Sequence, residues 1–87
     1  MLREHVLRVG QRTEEVLRRT RAAQRAAADS VDKSADSHER TAKSYEELAE
    51  RTGRQDDYLK HAARHRKFAH EDRLMAERLR QMATPPE

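Results

Sequence analysis

Thr52-Gly53-Arg54-Gln55-Asp56-Asp57 decides how this chain folds. Glycine reaches positive φ at little steric cost and so ends a helix at its C′ position, while acidic residues favour the first turn of the next helix. The hexapeptide therefore reads as a stop followed at once by a restart, and so short a connection sends the chain back antiparallel to itself. On either side runs a ladder of alanines at seven-residue intervals: Ala28, Ala35, Ala42 and Ala49 before the turn, Ala62, Ala69, Ala76 and Ala83 after it. Three residues on from the first ladder stand Val31, His38, Tyr45 and Thr52, flanked by Ser34, Thr41 and Leu48. Beside the second, the same offsets give His65, Asp72 and Leu79, then His61, Phe68, Met75 and Met82. A 3,4-spaced seam in which methyl-sized residues alternate with larger ones predicts an antiparallel, coiled-coil-like helical hairpin over residues 28 to 83, turning at 53 to 55.

Nothing elsewhere in the chain opposes an all-α fold. Glycine and proline occur only at Gly10, Gly53, Pro85 and Pro86, and no alternating strand-type segment is present. Thr84-Pro85-Pro86 closes the second helix and leaves residues 84 to 87 as a short tail. In 87 residues, 40% are charged, against about 25% in ordinary globular chains, and 13 of the hydrophobic residues are alanine. That composition limits the chain to one domain and excludes a large core. Without cysteine there is no disulfide framework, thiolate metal site or thiol nucleophile. No apolar run of membrane-spanning length and no signal-peptide core appears, so a cytoplasmic protein without a membrane partner is expected.

Residues 1 to 27 carry a second stripe, out of phase with the ladder: Leu2, Val6, Val9, Thr13, Val16, Thr20, Ala23 and Ala27. The phase slips by one residue between Ala27 and Ala35, where Asp29-Ser30-Val31-Asp32-Lys33-Ser34 is poor in helix formers and Asp36 with Glu39 could form a capping box. Either the chain breaks there into three helices, or one helix runs from about residue 3 to residue 52. The returning helix, Gln55 to Met82, needs a partner of equal length that reaches back through the suspected break, which favours the long helix. Residues 1 to 27 then form a basic amphipathic extension, most of it beyond the reach of the second helix. Self-association through Leu2, Val6, Val9, Val16 and Ala23 is expected, with a homodimer in a helical bundle as the simplest product and another helical protein as the other candidate partner.

Chemistry finds fewer footholds. His61 and His65 share a helical face, and folding at Gly53 makes facing residue numbers sum to about 110, which places His38 near Asp72 and Tyr45 near His65. His38, His61, His65 and Asp72 are thus candidate ligands for a divalent metal. The favoured reading is instead a polar layer inside the seam that fixes register, with no cofactor. Residues 1 to 28 hold seven arginines and three glutamates, net +4, whereas residues 29 to 87 are net −1. Arg12, Arg18, Arg19, Arg21 and Arg25 are therefore candidates for tracking nucleic-acid phosphates, although no helix-turn-helix, zinc module or stacking platform accompanies them. The serines lie in helical patterns with no nucleophile elbow and no glycine-rich phosphate loop, so an enzyme is not expected. The sequence favours a non-enzymatic interaction and oligomerisation module, with nucleic-acid association second and a metal-binding bundle third.

Overall fold

The computed structural model describes residues 2–86, which form two helices joined by a tight turn. α1 spans Leu2–Thr52, 51 residues, and α2 spans Gln55–Ala83, 29 residues. They pack side by side as a hairpin in a rod 78 Å long and 17 by 15 Å across. Gly53 has φ +71, the left-handed value that a C′ glycine supplies. Thr52 ties off the end of α1 by donating its hydroxyl to the Leu48 carbonyl and accepting the Arg54 N–H. Asp56 and Asp57 occupy the first turn of α2, where the helix dipole favours negative charge.

The eight ladder alanines are the buried core of the described residues, each 3% exposed or less, and no larger side chain is fully buried. Methyl against methyl lets two helices approach toward the short end of the usual spacing of about 8 to 10 Å. The larger residues beside the ladder do not enter the seam. Val31, His38, Tyr45, Tyr58, His65, Asp72 and Leu79 are half-buried along one flank, and Phe68, Met75 and Met82 are exposed next to them. The polar layer expected inside the seam therefore lies on its edge, because helices this close leave no room between them for a ring.

α1 runs unbroken through Asp29 to Ser37, so the capping box proposed by Asp36 and Glu39 does not form. Both residues have cross-helix partners instead. Arg73 reaches Asp36 at 3.0 Å and Glu39 at 2.9 Å, with Asp32 at 3.9 Å. One heptad on, Arg80 meets Asp29 at 2.9 Å and Asp32 at 2.6 Å, and one heptad back Arg66 pairs with Glu46. Hydrogen bonds to Asp36 and Glu39 hold the Arg73 guanidinium above its already high ordinary pKa, and Asp32 and Asp29 do the same for Arg80. These ion pairs lace the second flank across the stretch of α1 that is poor in helix formers.

Candidate functional site

α2 ends level with Arg25 to Asp29: Arg80 reaches Asp29, and Ala83, Thr84 and Pro85 share a shallow depression with Arg25 and Asp29. Below that level α1 continues with no second helix beside it. The extension is helical because it propagates from an already nucleated helix, at no further nucleation cost. Its stripe stands in water: Leu2 is 84% exposed, Val6 63%, Val9 51% and Val16 61%, and Ala23 is exposed as well. Thr13 and Thr20 donate their hydroxyls to the carbonyls of Val9 and Val16 one turn back, at 3.0 and 2.9 Å. With the hydroxyl engaged, each threonine adds a methyl to the stripe. A row of exposed apolar groups along some 23 residues is a feature of the surface that this fold leaves unexplained.

The arginines of the extension divide into two rows. Arg12 and Arg19 share one face; Arg18, Arg21 and Arg25 share another; both rows lie off the stripe. Arg21 is half-buried where Pro85 approaches α1, and the others are exposed. Arg19 pairs with Glu15 at 2.8 Å within the helix. Sequence grouped these five by composition, but helical geometry does not bring them onto a single surface.

His38, His61 and His65 gather on the flank of the hairpin opposite the ion pairs. His38 Nδ1 and His65 Nδ1 are 2.9 Å apart, a hydrogen bond that needs the proton on one ring and a bare nitrogen on the other. Tyr45 stacks on His61 at 4.9 Å between ring centroids, on His65 at 5.8 Å and on Tyr58 at 6.1 Å, while Phe68 sits 5.4 Å from His38. The expected pairing of His38 with Asp72 is present only as a contact of 4.0 Å between Nε2 and Oδ2, too long for a hydrogen bond. The Asp72 Oδ2 atom is shielded from solvent and has no hydrogen-bond partner. The stagger has a simple origin. Tyr45 does stack on His65, the pair that the turn position implies, but residues on one flank of an antiparallel pair do not all meet straight across, and His38 reaches His65, about two turns along α2 from Asp72. Among the described residues no three His, Asp or Glu side chains stand close enough together to hold a metal ion. With His38 and His65 turned toward one another, the candidate set does not converge.

No described helix is long and apolar enough to cross a membrane. The depressions along the rod are open troughs of 310 to 370 Å³ between side chains rather than enclosed cavities. No protein-family model matches the chain, and comparisons with curated proteins and with solved structures found no similar protein.

Proposed function

We propose that this chain is a non-enzymatic helical module that self-associates through the apolar stripe of the α1 extension. The observation that carries the reading is the mismatch between a 51-residue helix and its 29-residue partner, which leaves Leu2, Val6, Val9 and Val16 uncovered. Energetics support it. A core made of alanine methyls contributes little, and single chains below roughly 70 to 80 residues rarely gain more than about 3 to 5 kcal/mol from one hydrophobic core. This chain is hardly longer, and much of its apolar surface lies outside the core. Sedimentation over a range of concentrations tests the reading. The wild-type chain is expected to be oligomeric, and Val9→Asp with Val16→Asp, both exposed in the single chain, is expected to yield monomers. A well-folded monomer at high micromolar concentration sinks the proposal.

One observation favours a second reading, association with nucleic acid. Both arginine rows lie off the stripe, so they stay available to phosphates when the stripe is covered. Such binding would be independent of sequence, weaken steeply with salt, and fall when Arg18, Arg19 and Arg21 become Gln. Absence of DNA and RNA binding at low salt eliminates it.

A further inference from the structure

The stripe does not stop where α2 begins. From Leu2 to Ala27 its steps alternate four and three; a single four-four step at Ala27 then carries it on through Val31, His38 and Tyr45 to Thr52, with the alternation resumed. The phase slip is thus a stutter. It sets the row onto the half-buried flank of the hairpin beside Phe68, Met75 and Met82, rather than onto the alanine ladder. The whole row is a palindrome. Read from either end, the steps are the same, and its centre is Ala27, where residue numbers sum to 54.

We propose that the occupant of the extension is the hairpin flank of a second copy of this chain. The two α1 helices run antiparallel about a two-fold axis at Ala27, so that each extension lies along α1 and α2 of the other copy. The proposal rests on the self-association above and specifies its geometry. Chemistry agrees at five of the seven pairs about the centre: Val6 falls opposite Leu48, Val9 opposite Tyr45, Thr13 opposite Thr41, Thr20 opposite Ser34, and Ala23 opposite Val31. In these five pairs apolar meets apolar and small hydroxyl meets small hydroxyl, while the remaining two set Val16 opposite His38 and Leu2 opposite Thr52.

Length and charge point the same way. The extension, Leu2 to Gln24, is about 34 Å long at 1.5 Å per residue, and α2 is about 43 Å, so each end of the dimer becomes a three-helix section with little helix left over. The surface that receives the extension is the flank without ion pairs, where Phe68 is 40% exposed, Met75 52% and Met82 61%. The Arg66, Arg73 and Arg80 pairs stay on the other flank, in water. Residues 1 to 28 carry net +4 and residues 29 to 87 net −1, so setting an extension on a hairpin avoids the repulsion that pairing two extensions creates. In this register Gly10 comes within about one turn of the level of Phe68 in the second copy, a position without a side chain near the largest exposed ring.

The chain has no cysteine, so introduced ones report geometry cleanly. A disulfide needs Cα atoms within about 7 Å. Three samples of the full-length chain are oxidised after their oligomeric state has been measured by sedimentation. Ala27→Cys alone is expected to cross-link to itself, and a mixture of Thr13→Cys with Thr41→Cys is expected to give predominantly the mixed disulfide. A mixture of Thr13→Cys with Val16→Cys is expected to give little. If that third mixture cross-links instead, the extensions pair with one another, and the proposal fails while self-association stands. If the second mixture gives the two homodisulfides, Thr13→Cys with itself and Thr41→Cys with itself, rather than the mixed one, the arrangement is parallel and the proposal is also overturned. A dimer with no cross-link in any sample overturns it as well. A chain that sediments as a monomer removes both readings.

Discussion

Replacing Ala42 or Ala69 by leucine is the sharpest test of the hairpin, because both sit in the middle of the ladder at 0% and 2% exposure. Leucine adds three carbons. If the seam could take them without moving, their burial would stabilise by about 2.4 kcal/mol, at ~0.8 per CH₂. It cannot, since the helices already touch through methyls. Admitting the larger side chain forces them apart, and the rungs on both sides lose their contacts: Ala35 and Ala49 on α1, Ala62 and Ala76 on α2. Four methyls at ~0.8 kcal/mol each amount to about 3 kcal/mol, and an off-rotamer leucine adds about 1. The balance is a net destabilisation of about 1 to 3 kcal/mol, the usual size for an overpacked core. For a chain of this length that is a fall in Tm of roughly 4 to 24 °C. Circular dichroism melts at one fixed concentration measure it, since association makes Tm depend on concentration. Ala63→Leu is the control, because Ala63 is exposed, adjoins the ladder and undergoes the same change in helix propensity. If Ala42→Leu and Ala69→Leu melt no lower than Ala63→Leu, the close-packed alanine seam is refuted.

Other predictions follow from the turn and the two flanks. Gly53→Ala should destabilise by about 1 kcal/mol through its left-handed φ alone, because a Cβ there meets nothing within 4 Å; Gly53→Asn should recover part of the loss in the same melts. Arg73→Gln should lower Tm at low ionic strength and make little difference at about 1 M salt, where screening shortens the reach of exposed charges to about 3 Å; a salt-independent effect contradicts the ion-paired flank. Nitrogen NMR of the neutral protein should find His38 and His65 in opposite tautomers, one carrying its proton on Nδ1 and the other on Nε2, and two Nε2–H rings rule out their hydrogen bond. Zinc and chelators should both leave Tm unchanged, and a chelator-sensitive Tm would return His38, His61, His65 and Asp72 to consideration as ligands.

Sequence by itself determined the helices and their connection. Seven-residue spacing fixes which residues share a helical face, Gly53 fixes where the chain reverses, and the length of α2 fixes how far α1 must remain straight. None of these depends on a distant contact. The Arg66, Arg73 and Arg80 row opposite Asp32, Glu39 and Glu46 was legible in the same spacing, but the acids near residue 30 also suit helix caps. Only the packed pair decides between cap and cross-helix partner. Tertiary structure also decided what enters the seam and which side chains meet. Periodicity says that Val31, His38 and Tyr45 lie beside the ladder; it does not say how each helix is rotated about its axis or how the two are staggered. Contact between opposing methyls sets both. It turns the rings out to one flank, gives His38 to His65 rather than to Asp72, and leaves the larger apolar groups of the hairpin and its extension facing water.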